Sequence, residues 1–201
     1  MSDEPIVLHD ADGAWPMDFA RERELIAPLF PIAPRLIEHM GSTAIPGLRA
    51  KPVIDIVVLM DALDDARPAI AGLEASGYSW WRDNPDTSKL YLVKGLPPAP
   101  RRTHHLHIYA DADEVRRHLV FRDYLRTHAD ARDAYQRLKE ELAERYRDDR
   151  AAYSTLKTGF VDEIVALAGG PARAGTDRHR DAHVQQAGNH SAAPIVATSG
   201  A

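Results

Sequence analysis

The feature that most constrains the fold is the run Val53-Ile54-Asp55-Ile56-Val57-Val58-Leu59-Met60, apolar and largely β-branched except for one carboxylate. Side chains branched at Cβ suit a pleated strand, and Pro52 and Asp61 bound the run, so residues 53–60 read as a buried strand. An ionised carboxylate between Ile54 and Ile56 is expensive to bury unless it binds a cation or accepts hydrogen bonds. Asp55 therefore needs partners from outside its own strand.

The remaining pattern is mixed. Residues 5–9 read as a short strand, and residues 16–30 as a helix with Pro16 in its first turn and Pro28 near its end. Residues 35–39 fit either a helix end or a strand leading into Gly41. Residues 65–76 read as a helix that tolerates Pro68 in its first turn and closes on Gly77. Residues 78–82 and 90–94 read as strands joined by Asp83-Asn84-Pro85-Asp86, with Trp80 and Trp81 on opposite faces, so at least one belongs to the core. In residues 103–109, His105 and His107 alternate with Leu106 and Ile108, a strand pattern.

After Asp111 the period becomes helical. Asp113 is placed to cap a helix carrying Val115, Leu119 and Leu125. Residues 131–147 bring Tyr135, Leu138, Leu142 and Tyr146 to one face, and residues 151–168 do the same with Tyr153, Leu156, Phe160, Ile164 and Leu167. A small sheet followed by a run of three helices gives an α+β class with helices packed on the sheet. One domain is expected over residues 1–168. Residues 169–201 hold five glycines and no apolar period, so they read as a disordered tail, and His179, His183 and His190 within it lack the preorganisation of a metal site.

Composition narrows the function. Thirty acidic residues against twenty-five Lys plus Arg leave a net charge of −5, which argues against general nucleic-acid binding. With no cysteine, a metal would have to sit on oxygen or imidazole. The longest apolar run is far below the ~18 residues of a membrane span, and Met1-Ser2-Asp3-Glu4 is acidic, so a cytoplasmic protein is expected. Oligomeric state is left open.

Two groups could carry chemistry. Gly41-Ser42-Thr43 are small residues whose peptide N–H groups and hydroxyls can grip phosphate oxygens, with Lys51 as a point charge and Arg49 as a second. A magnesium–phosphate complex would then compensate Asp55. A plain loop, with Asp55 bonded to neighbouring backbone, accounts for the same residues. His105 and His107 project from one strand face and can chelate a metal, straddle a phosphate or exchange protons. Half-exposed histidines bonded to neighbours are the plainer alternative. Arg122 and Arg126, four apart on a helix, either form a solvated face or point at the sheet to hold a triphosphate. Asp148-Asp149 fits a cap between helices.

The segment Glu38-His39-Met40-Gly41-Ser42-Thr43-Ala44-Ile45-Pro46-Gly47-Leu48-Arg49-Ala50-Lys51-Pro52-Val53-Ile54-Asp55-Ile56 resembles the signature of the GrpB family, small bacterial proteins with a nucleotidyltransferase-like fold. Gly77-Tyr78, His105-Leu106-His107, Phe121-Arg122-Asp123-Tyr124-Leu125-Arg126, Leu138-Lys139, and Tyr153 with Lys157 extend the resemblance over residues 7–168. It implies a small mixed sheet whose Gly-Ser turn opens a helix beside a carboxylate-bearing strand. In the wider superfamily that turn binds a nucleoside triphosphate, and carboxylates at alternating strand positions hold two Mg²⁺ ions. Twelve residues separate Ser42 from Asp55, a suitable interval, yet Val53 and Val57 stand where a second carboxylate would be. His105 and His107 are the candidates to complete the set, for which Mn²⁺ or Zn²⁺ suits imidazole better than Mg²⁺.

The expected function is a metal-assisted, nucleotidyltransferase-like protein that binds an NTP or related phosphorylated small molecule. Asp55, His105 and His107 are the catalytic and metal residues; Gly41, Ser42, Thr43, Lys51 and Arg122 hold the ligand. A noncatalytic module for a nucleotide or a coenzyme A-like ligand is the alternative, since related domains occur joined to dephospho-coenzyme A kinase. A metal-dependent hydrolase on the same three residues is a further one.

Overall fold

The computed structural model describes residues 5–99 and 101–173. Five strands form one mixed sheet in the order β1 (Leu36–Met40), β2 (Ile54–Leu59), β5 (His104–Tyr109), β4 (Lys89–Lys94) and β3 (Tyr78–Trp80). Only β2 and β5 run parallel; the other neighbouring pairs are antiparallel. The parallel register sets Asp55 opposite His105 and Val57 opposite His107, so Asp55 and both imidazoles share one face.

The apolar run in β2 is nearly continuous because both of its faces are covered. On one side Ile54, Ile56 and Val58 join Leu106, Ile108, Leu90 and Leu92 beneath Trp15 and Ile26 of α1 (Trp15–Ile26). Leu73 of a broken helical stretch, α2 (Leu63–Ala66) and α3 (Ile70–Ala75), completes that core. The break is a 3₁₀ turn at Arg67–Ala69 around Pro68, whose ring fits a new first turn.

On the other side Met40, Val57, Leu59 and Tyr109 meet Val115 of α4 (Ala112–Thr127). Beyond them α4 joins α5 (Ala129–Arg145) and α7 (Thr158–Leu167) in a second core of Phe121, Leu125, Tyr135, Ile164 and Val165, while Tyr153 of α6 (Arg150–Leu156) packs with Leu142 and Ile6. The α+β class and the mixed sheet are as expected. The single helix read over residues 151–168 is two helices that meet at Lys157.

Four local expectations are corrected. Residues 5–9 form no strand, because Ile6 N–H donates to Arg147 O at 2.8 Å and only His9 pairs in β fashion, with Ala50. The Gly-Ser turn opens not a full helix but a 3₁₀ turn, Ser42–Ala44. The cap of α4 is Asp111, not Asp113: Asp111 Oδ1 accepts from Asp113 N (2.9 Å) and Glu114 N (3.2 Å), whereas Asp113 is already helical. Residues 169–173 are not a loose tail. Gly170 N–H donates to Val165 O, and Arg117 of α4 reaches both Pro171 O and Asp162 of α7. Residues 174–201, with His179, His183 and His190, lie outside the described residues.

The cap assignment has a measurable consequence. Asp111→Ala is expected to lower unfolding free energy by about 1 kcal/mol in urea titration, and Asp113→Ala to stay within about 0.5 kcal/mol of the parent. Equal effects would return the cap to Asp113.

Candidate phosphate and metal site

The shared face of β2 and β5 opens into a hollow of about 270 Å³ between the sheet and the helices α6 and α7. Asp55, His105 and His107 line its floor, and Ser42, Thr43 and Lys51 one rim. One ligand-capable atom from each of Asp55, His105 and His107 lies within 4.8 Å of the others. The alternation of β5 and the parallel register bring these three side chains together.

Asp55 Oδ1 lies 2.9 Å from His105 Nδ1. Burial raises the Asp55 carboxyl, but the His105 hydrogen bond and the charges of His105, His107 and Lys51 outweigh it and take the group down to about 2. An ionised carboxylate only accepts, so Nδ1 of His105 carries the proton and donates it. In the tautomer this bond selects, Nε2 of His105 is turned away from Asp55. Among the described residues neither His105 Nε2 nor His107 Nδ1 has a hydrogen-bond partner, and both are buried. Burial holds His107 well below the ordinary histidine range, against the pull of Asp55. The Tyr91 ring, opposite His107 on β4, leans over both imidazoles, with centroid separations of 5.6 and 4.7 Å.

Gly41 fits this floor closely. Its φ is +71°, and a Cβ there would stand 2.4 Å from Asp55 Oδ2. Glycine is thus required both by the left-handed backbone and by the carboxylate pressed against it.

Above the floor the hollow is cationic. Lys51, Arg102, Arg150 and Lys157 all line it, with Ser42 and Ser154 between them and Asp55 the acidic group of the lining. Lys157 sits 4.0 Å and Lys51 5.3 Å from the centroid of the Tyr153 ring, so two ammonium groups share one buried aromatic. Burial first, and Lys51 second, bring Lys157 down to about 7. Lys139, just outside and donating to Arg49 O, falls to about 7 by burial and by repulsion from Lys157.

The structure brings together Ser42, Thr43, Lys51, Asp55, His105 and His107, with Gly41 against Asp55, but not Arg122. Arg122 Nη1 donates to Glu38 (2.9 Å) and to His39 O (2.8 Å), and its Nε to Asp123 (2.7 Å). Arg126 donates to Ala44 O. These guanidinium groups satisfy carbonyls of an irregular turn instead of clamping a triphosphate. Arg49 is likewise taken up by Asp10 and Glu140. Thr43 faces the hollow, but its Oγ1 donates to Val53 O and contacts His39 Nε2, so the hydroxyl braces β1 against β2.

Sequence reasoning missed Tyr91, Arg102, Arg150 and Ser154. Part of the signal was present: Arg150, Tyr153, Ser154 and Lys157 recur at spacings of three and four, one face of a helix. Arg102 and Tyr91 carried no such mark, since only the sheet order brings them to the hollow.

A mixed five-stranded sheet bearing a carboxylate–imidazole triad under a basic hollow defines an α+β protein with one polar, cation-lined site. The GrpB protein family profile matches residues 5–167, and the chain belongs to that family. It is 46% identical over 180 residues to a UPF0157 protein of Pseudomonas aeruginosa, covering 88% of this chain and 71% of that protein. A UPF0157 protein of Halalkalibacterium halodurans is 34% identical over 164 residues, covering 81% and 82% of the two chains. The crystal structure of conserved protein GrpB from Enterococcus faecalis superposes with a TM-score of 0.72 at 32% identity, covering 81% of this chain and 96% of that one.

Gly41→Ala tests the packing of the floor. The added methyl group must displace Asp55 and strain the backbone, so a loss of about 1–3 kcal/mol is expected in urea unfolding. The imidazole N–H resonance of His105 should shift with it. An unchanged resonance and stability would show that the turn and the carboxylate are not in contact.

Proposed function

We propose that this protein binds the phosphates of a nucleoside triphosphate in the basic hollow and, with a divalent cation on Asp55, His105 and His107, transfers its nucleotidyl group to an acceptor nucleophile with pyrophosphate as the leaving group. The observation that carries the reading is the pair of buried, unpartnered imidazole nitrogens beside an ionised Asp55, directly under four cationic side chains. A buried polar atom without a partner is costly, and a cation drawing on His107 would relieve one of them while replacing the Nδ1 proton of His105 beside Asp55. One carboxylate with two imidazoles suits Mn²⁺ or Zn²⁺ better than Mg²⁺. Such a cation supplies electrostatic stabilisation of the charge that develops on phosphoryl oxygens.

The chain's own groups supply the rest. Lys51, Lys157, Arg102 and Arg150 offset the charge of the phosphates, and the hydroxyls of Ser42 and Ser154 offer donors along the rim. Asp55 orients His105 through the Nδ1 contact. The lone carboxylate, with Val53 and Val57 on either side, favours a second reading as a noncatalytic nucleotide-binding module.

The two readings separate in one series. Parent protein with Mn²⁺ and an NTP should show a melting point several degrees higher than with either alone, the increment expected of a saturating ligand. Asp55→Ala should remove the metal-dependent part. Labelled NMP incorporated from an NTP, and lost in Asp55→Ala, supports transfer; binding without turnover supports the module. No melting shift with any nucleotide and cation would overturn both.

Phosphate affinity should also depend on pH. Lys157 titrates near 7, cationic below and neutral above. Raising pH from about 6 to about 8 is expected to weaken tripolyphosphate binding by about threefold to tenfold, since the neutral amine no longer attracts the anion. Lys157→Met should bind weakly with a flatter profile; an equally steep profile would remove Lys157 from the binding site.

A further inference from the structure

We infer that the phosphate hollow is one half of a longer cleft, and that the apolar half beyond Tyr91 receives the aromatic base of the same ligand. The inference rests on the phosphate reading above and adds to it the part of the ligand that confers identity.

At about 270 Å³ the hollow falls short of the ~300–1,000 Å³ usual for small-molecule sites, so it accommodates phosphates but not a whole nucleotide. A second cavity of about 560 Å³ adjoins it. Four residues, Tyr91, Arg102, Arg150 and Ser154, line both, so the two share a wall instead of lying on separate faces. The chemistry changes across that wall. The first cavity is basic; the second is walled by Trp81, Val93 and Leu96.

The placement of Trp81 points to a planar occupant. Trp81 N–H donates to Tyr91 O, which puts the residue opposite Tyr91 and on the sheet face that carries Asp55 and the imidazoles. Trp81 is 39% exposed, lines the cavity, and meets the Tyr91 ring edge-on at 6.2 Å, so Tyr91 does not stack flat over it. A partly exposed indole beside two guanidinium groups is a stacking platform for an aromatic ring whose charged end lies among those same arginines. A ligand with phosphates at one end and a flat, apolar ring at the other satisfies both halves. The two arginines at the junction would lie beside the phosphate nearest the sugar.

Calorimetric titration with Mn²⁺ present tests this, using ATP, GTP, CTP and UTP against inorganic tripolyphosphate. At least one nucleotide should bind about tenfold more tightly than tripolyphosphate, the size of one stacking interaction. Trp81→Ala should erase that difference while leaving tripolyphosphate within about twofold of the parent, and Trp81→Phe should restore most of it. Trp81 is already partly exposed, so its removal should leave the fold intact, which circular dichroism checks. Tripolyphosphate binding as tightly as every nucleotide, or a preference that survives Trp81→Ala, would overturn the subsite while sparing the phosphate hollow. If neither tripolyphosphate nor any nucleotide binds, the phosphate reading fails and the subsite falls with it.

Discussion

The contact between Asp55 and His105 ties sheet, turn and hollow together. A carboxylate in a strand covered on both faces has few ways to remain ionised, and here the imidazole of the parallel neighbour supplies one of them. That requirement fixes several things at once. It selects the parallel pairing of β2 with β5, because only that register sets the two residues side by side. It demands glycine at position 41, whose missing side chain leaves room for Asp55 Oδ2. It also determines the His105 tautomer and so turns Nε2 away from Asp55. Remove the carboxylate and the turn, the strand pair and the imidazole all lose a partner.

Around that contact the protein holds charges that folding alone would not favour. Two lysines are pushed down to about 7 chiefly by burial, and four cationic residues line a hollow with one acid. Burying an ammonium group costs stability, and perturbed titrating groups gathered in a cleft make it a candidate for function. The other basic residues of the helical half behave differently. Arg122, Arg126 and Arg117 are spent on backbone carbonyls and carboxylates, holding β1, the 3₁₀ turn and the C-terminal residues against α4. Spacing alone does not separate the two kinds of cation; their place in the packed structure does.

Much of the fold could be read from the chain because its strongest signals are local. The β-branched run announced β2, alternation announced β5, and the three-and-four spacing announced the helices. Asp55 with His105 and His107 was legible as a set only because i and i+2 share a strand face; their meeting required a strand order that no local pattern encodes. Residues 5–9 looked like a strand by composition but find their partners at a helix end and in one bridge to Ala50, a tertiary outcome. Arg122 looked like a phosphate ligand by charge and proved to be satisfied by Glu38, Asp123 and a carbonyl. Arg102, Arg150 and Tyr91 arrive from three separate elements, and their convergence is a property of the sheet order and of helix packing.

The most direct test of the central claim is pulsed electron paramagnetic resonance of the protein with one equivalent of Mn²⁺. Coordination by this triad predicts nitrogen modulation from two imidazoles on a single bound ion, reduced when His107 is replaced by alanine. A spectrum of Mn²⁺ surrounded by water alone would contradict the account.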